Sequence, residues 1–174
     1  MKITIGFSKS KKNFAPFGWA IQWFQNTPFS HTYLRRNSSS TGEYVYQASG
    51  NMVNFMGINT FLDIAKPVEE FEIEISDETW KPTLKKLIEY AGRPYSVKSI
   101  IAIVLARFGI RSKYLQDGDY AFICSEIVVE ILHEMDFIKK EEWYKPTDLV
   151  TPKELYLKLK ELSITKPGRI STLP

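Results

Sequence analysis

Apolar and polar positions alternate over residues 2–7, which predicts a first strand, and residues 8–13 form a polar, basic loop. Residues 18–25 suit a short helix, stopped by Asn26-Thr27-Pro28. Residues 31–36 and 43–48 flank the turn-forming run Asn37-Ser38-Ser39-Ser40-Thr41-Gly42 and predict a hairpin. Residues 51–63 show no period and read as irregular, whereas 70–75 alternate cleanly as a strand with one wet face. Ser76 or Asp77 then caps a helix carrying Trp80, Leu84, Leu87 and Ile88, ended by Gly92. A turn at 92–96 leads to a strongly apolar helix over 97–108, closed by Gly109 and followed by a polar loop to residue 119. After Cys124, apolar residues at Ile127, Val128, Ile131, Leu132 and Met135 trace one buried helical face. Residues 136–147 read as irregular. Thr151 caps a last helix with Pro152 at its first position, and the tail 164–174, with two prolines and a glycine, reads as loose. The order predicts an α+β fold, a small antiparallel sheet packed against helices on one side, as one domain over 1–163.

Composition narrows this picture. The 174 residues are 44% hydrophobic, enough for one domain with a real core. A net charge of +3 from 23 basic and 20 acidic residues is too balanced to argue for nucleic acid or a basic membrane patch. A single cysteine excludes an internal disulfide, and one cysteine with two histidines argues against a zinc site of the usual kind, so no metal or other cofactor is expected. The first residues are too short and polar-interrupted for a signal peptide, and the apolar run 100–105 is far short of a membrane span. The expectation is a cytoplasmic protein without a transmembrane segment.

The chemistry gathers on Cys124. It falls in the first turn of its helix, where Ser125 and Glu126 suit the free N–H groups and the dipole, and where a thiolate would be stabilised. The competing reading is a small buried apolar residue beside Phe122 and Ile123. A cysteine nucleophile needs a base within hydrogen-bond reach. His133 lies nine residues along the same helix, roughly 13 Å away at about 1.5 Å per residue, and cannot serve. His31 is the remaining candidate. If the hairpin loop centres on Ser39, paired residue numbers sum to 78, so Arg35 faces Glu43, Tyr33 faces Val45, and His31 faces Gln47 on one face. The aromatic segment 14–24, with Trp19 and Trp23, is either core or the lining of a groove.

Several pieces then fall into a familiar order. Ser30-His31 opens a strand, and Tyr46-Gln47-Ala48 ends the next. Gly92-Arg93-Pro94-Tyr95 precedes a helix, Phe122-Ile123-Cys124-Ser125-Glu126 starts another, and Leu149-Val150-Thr151-Pro152-Lys153-Glu154-Leu155 comes near the end. Together they resemble the NlpC-type superfamily of papain-like cysteine hydrolases, in its circularly permuted branch, where the histidine strand precedes the cysteine helix. The resemblance implies Cys124 as nucleophile and His31 as general base. Gln47 would orient the imidazole, where that branch often has glutamate, and Tyr95 would stand near the nucleophile.

The expected activity is a thiol hydrolase that cleaves an amide through a thioester. Backbone N–H groups at the helix start, around Ser125, would hold the oxyanion with help from Tyr95. The resemblance implies cell-wall peptides (peptidoglycan) as first substrate class, with a phage or virion setting. Two rivals stand beside it. One is a lipid acyltransferase or esterase of the same chemistry, with the aromatic segment holding an acyl chain. The other is a non-catalytic component of a virion or complex.

Overall fold

The strand β1 (Lys2–Ser10) buries six consecutive residues, Ile3 to Ser8, where simple alternation predicts one wet face. It is buried on both sides because it lies inside a sheet that is covered on both faces. The computed structural model describes residues 1–12, 16–38, 42–107, 109–110, 121–143, 146–166 and 168–173. Most of the predicted polar loop after Gly109 lies outside the described residues.

Five further strands join β1: β2 (His31–Ser38), β3 (Gly42–Ser49), β4 (Met52–Gly57), β5 (Ala65–Glu74) and β6 (Ile170–Leu173). They form one six-stranded sheet in the order β4-β3-β2-β1-β5-β6, antiparallel in every pairing. Among the described residues six α-helices accompany it: α1 (Pro16–Gln25), α2 (Ile58–Ile64), α3 (Asp77–Tyr90), α4 (Val97–Arg107), α5 (Cys124–Glu134) and α6 (Pro152–Thr165). The α+β class and the antiparallel sheet agree with the pattern of the sequence.

One face of the sheet carries the main core. Ile3, Ile5, Phe7, Leu34, Phe71 and Ile73 meet Trp80 and Leu87 of α3, the apolar face of α5, and Leu155, Leu159 and Leu162 of α6. The opposite face is not bare, as the one-sided expectation had it. There Tyr33, Val45 and Ala65 pack beneath Phe61 of α2. Residues on one strand alternate between the two faces, so His31 shares the α2 side with Tyr33. Gly6 makes this layer possible. A Cβ there would stand 2.0 Å from Cζ of Tyr33, whose hydroxyl crosses the strand to donate to Glu70 at 2.6 Å.

Four sequence expectations need correction. Residues 51–63, read as irregular, form β4 and α2. The edge strand β4 is mixed in polarity, and so carries no clean period. Ile88, placed on the buried face of α3, is exposed, and Trp80, Thr83, Leu87 and Tyr90 make that face instead. The tail is not loose throughout: α6 runs to Thr165, and β6 pairs with β5 through Ile73↔Ile170. The hairpin register sums to 80, not 78, with Leu34↔Tyr46 and Arg35↔Val45. The cause is that the ladder ends on Ser38↔Gly42, and Gly42 takes φ +83°, a conformation glycine adopts without strain. Arg35 still reaches Glu43 diagonally at 3.5 Å, although its closer partner is Glu70 at 2.9 Å.

Candidate active site

Cys124 is the first residue of α5, as the spacing predicts. The preceding Ile123 donates its N–H to the Glu126 carboxylate at 3.1 Å, which closes the helix start. Ser125 is fully buried, and its hydroxyl donates to the Val150 carbonyl at 2.5 Å, a bond that ties α5 to the segment before α6. Its side chain is therefore structural. Its backbone N–H, together with that of Cys124 itself, favours the Cys124 thiolate.

A backbone group that the sequence does not mark completes the cradle. The β2–β3 ladder stops at Leu34↔Tyr46, leaving the first residues of β2 without a β3 partner. The Thr32 backbone N–H is among the groups that favour the Cys124 thiolate. From that nitrogen to the His31 Cα is a path of two covalent bonds, about 2.9 Å, so the His31 backbone lies near the thiol while its side chain is on the α2 side with Tyr33. Among the described residues no hydrogen bond joins His31 to Cys124. The ring instead engages Gln47, with Nε2 and Oε1 only 2.6 Å apart.

Gln47 lies on the face of the sheet that carries His31, as the pairing argument requires, although the register is shifted. A change of two in the pairing sum moves a partner along the strand without turning it over. The amide is buried and oriented from behind, since its Nε2 donates to Asn54 Oδ1 at 3.3 Å and approaches Met56 Sδ at 3.7 Å. Its oxygen therefore faces the ring and accepts from Nε2–H. This leaves Nδ1 with the free lone pair.

Tyr95 arrives through a second set of backbone ties. Residues 92–95 are held by Val53 and Asn51 of the β3–β4 turn region: Val53 N–H donates to the Arg93 carbonyl at 2.8 Å, and Tyr95 N–H to the Asn51 carbonyl at 2.9 Å. Phe122 N–H donates to the Pro94 carbonyl at 3.0 Å, and Ser96 N–H to the Phe122 carbonyl at 2.9 Å. These bonds bring Tyr95 to the Cys124 end of α5, and its hydroxyl favours the Cys124 thiolate.

Electrostatics correct one expectation. Burial pushes the Cys124 thiol up from its ordinary value. The N–H groups of Thr32, Ser125 and Cys124 and the Tyr95 hydroxyl oppose that shift without reversing it. The helix start thus does not produce a resting thiolate. Burial likewise takes the His31 imidazole down to about 4, against an upward pull from Gln47. Tyr95 is raised by burial and by the neighbouring sulphur. Both shifts favour the uncharged form at neutral pH, a thiol at Cys124 and a neutral imidazole at His31. His133 sits in the last turn of its helix with both ring nitrogens buried and unpartnered, remote from this cluster.

An apolar cavity of about 240 Å³ opens onto the sulphur. Ala20, Ile21 and Phe24 of α1 and Ile100, Ile103 and Val104 of α4 wall it, and Tyr95, Cys124 and Ser30 are also in its lining. Trp23 lies at its edge and is 75% exposed. Trp19, 68% exposed, is outside the lining and belongs to the outer surface of α1. The wall from α4 is absent from the sequence reading. Its signal is the run 100–106, seven consecutive apolar residues that leave no polar side over nearly two turns.

No family model matches the chain, and no curated protein matches it. One solved structure is similar: the metalloprotein yiiX of Escherichia coli O157:H7, a DUF1105 protein, with a TM-score of 0.61, 15% identity, and coverage of 99% of this chain and 94% of that one. At that identity the likeness shows the fold alone. The membership in the NlpC-type superfamily that the motifs suggest is overturned by these findings, since the matching structure is described as a DUF1105 metalloprotein and no family model or curated relative supports the assignment. Among the described residues no three of His, Cys, Asp or Glu stand together to hold a metal ion. Among those residues, too, no helix is long and apolar enough to cross a membrane.

Proposed function

We propose that this protein is a thiol acyl hydrolase or acyltransferase that acts on a substrate with an apolar acyl chain. The observation that carries this reading is the apolar cavity ending on Cys124. A peptidoglycan peptide is polar and charged, and a wall of isoleucine, phenylalanine and valine offers it no partners. An acyl chain gains from that wall by burial.

In the proposed reaction the chain lies between α1 and α4, with its carbonyl at the sulphur. Cys124 attacks the carbonyl carbon as its proton passes to Nδ1 of His31, and a sulphur–carbon bond forms. The Tyr95 hydroxyl and the N–H groups of Ser125 and Thr32 are the donors at hand for the oxyanion. The carbon–oxygen bond of the ester breaks, and the leaving alkoxide takes the proton from His31. Water, or an acceptor nucleophile, then releases the acyl group from the thioester and restores the thiol. Gln47 positions the ring throughout.

Intact-protein mass spectrometry tests the reading. Incubation with a long-chain p-nitrophenyl ester should add one acyl group to Cys124, and Cys124→Ala should prevent it. Incubation with peptidoglycan fragments should add nothing. An adduct with the fragments and none with the ester would overturn the acyl-chain reading.

A further inference from the structure

The two helices that wall the cavity are apolar on their outer sides as well. On α1, Trp19 and Trp23 stand one turn apart on the same face, and both are largely exposed. On α4, Val97 and Ile101 stand one turn apart on one stripe and are exposed, and Val104, which also lines the cavity, continues that stripe. A helix that is apolar on both sides is ordinarily covered on both. Here one side faces the cavity and the other faces outward. Neither α1 nor α4 contains an acidic residue.

Cations flank this patch. Lys9, Lys11 and Lys12 are exposed just before α1, and Lys66 pairs across the ladder from Lys9. Three residues separate Lys12 from Pro16, four steps of chain that span at most about 14 Å. Asp63, near the end of α2, is an exposed acidic residue close to these lysines, since the Lys11 N–H donates to the neighbouring Ile64 carbonyl at 2.9 Å. Indole rings at an exposed apolar face with a lysine border match the anionic boundary of a lipid bilayer, where tryptophan sits at headgroup level and basic residues meet acidic headgroups.

We infer that the outer faces of α1 and α4, led by Trp19 and Trp23, dock this protein on an anionic lipid surface, so that an acyl chain passes from the bilayer into the cavity without crossing water. The docking deepens the acyl-chain reading and rests on it for its purpose, but it can be measured without turnover. The chain has four tryptophans, and Trp80 and Trp143 are buried, so a shift in indole emission reports on the other two.

Co-sedimentation and tryptophan emission are followed with vesicles of phosphatidylcholine alone and of phosphatidylcholine with phosphatidylglycerol. The protein should bind the anionic vesicles with a blue shift in emission, bind neutral ones weakly, and leave both as salt rises. Trp19→Gln with Ile101→Gln should lower vesicle binding about tenfold, as should Lys11→Glu with Lys12→Glu. Neither pair should alter turnover of a water-soluble short-chain ester, because none of the four lines the cavity. Failure to bind either vesicle overturns the docking, as does a dimer in solution that the same substitutions dissociate. Binding that survives both double substitutions overturns it too. Vesicle binding by a protein that forms no acyl adduct at Cys124 leaves the docking standing and removes the proposed reaction.

Discussion

Cys124 stands between two opposed influences. Helix-start and neighbouring donors favour its thiolate, and enclosure by protein disfavours it more. His31 is shifted the other way, down to about 4, since burial penalises its charged form. The sign follows for catalysis. A ring with that value remains able to accept a proton at any pH above about 4 and loses the ability below it. The acid limb of kcat/KM should therefore fall near pH 4 instead of near the ordinary 6.5, and a limb between 6 and 7 would contradict the buried neutral ring. Alkylation of Cys124 by iodoacetamide should be slower at neutral pH than that of a free thiol, with a rate still rising above pH 9.0. This reverses the expectation drawn from the helix start alone. His31→Ala should abolish turnover, and His133→Ala should not.

Gln47 carries a second prediction at this scale. Its oxygen holds Nε2–H of His31, and its nitrogen is held by Asn54. Gln47→Ala removes the bond that selects the tautomer with Nδ1 free. It should lower kcat about tenfold or more, with little change in KM, and cost about 1 kcal/mol of stability. Gln47→Glu should restore orientation and raise the His31 value, moving the acid limb upward. Unchanged kinetics for Gln47→Ala would show that the bond plays no part in the reaction. Both residues were legible in the sequence because histidine is scarce and hairpin pairing keeps faces in phase. The Thr32 N–H was not, because a backbone donor leaves no mark on residue type.

At the scale of elements, the strong signals survived and the weak ones did not. The caps of α3 and α6 are where Ser76 and Thr151 put them: the Ser76 hydroxyl accepts from Thr79 N–H at 3.1 Å, and the Thr151 hydroxyl from Glu154 N–H at 3.3 Å. β6 was missed because four residues after Pro167-Gly168 have no period of their own and are ordered by β5. That strand is a test of how far the tail contributes. Ile170 is 3% exposed and lies in the main core. Burying an isoleucine is worth about 1.5–3 kcal/mol, and the ladder adds to this. Deleting residues 169–174 should therefore lower Tm by several degrees in a thermal melt, whereas a truly loose tail would leave it unchanged.

At the scale of the whole molecule, the site is assembled from four separated parts of the chain. The start of β2 brings His31, the end of β3 brings Gln47, the turn before α4 brings Tyr95, and α5 brings Cys124. Only the first, second and fourth could be associated by reasoning on the sequence itself. The cavity joins α1 to α4 across some eighty residues of chain, a tertiary relation that no local pattern carries, although the unbroken apolar run 100–106 of α4 marks it as a helix that needs covering on more than one side.

That cavity makes the last prediction quantitative. If it receives an acyl chain, each methylene that enters gains about 0.8 kcal/mol, which is about a fourfold rise in kcat/KM when the gain is realised in the transition state. The rise should continue with chain length along a series of p-nitrophenyl esters and then level off where the cavity is full. Ile103, on the α4 wall, sets that limit. Ile103→Trp fills space within the walls and should move the plateau to shorter chains, while Ile103→Ala should move it to longer ones. Opposite shifts from the two substitutions would tie the length dependence to this cavity and not to the general stickiness of an apolar substrate. A flat series, or a plateau that neither substitution moves, would mean that the chain binds elsewhere and that Cys124 faces a different substrate.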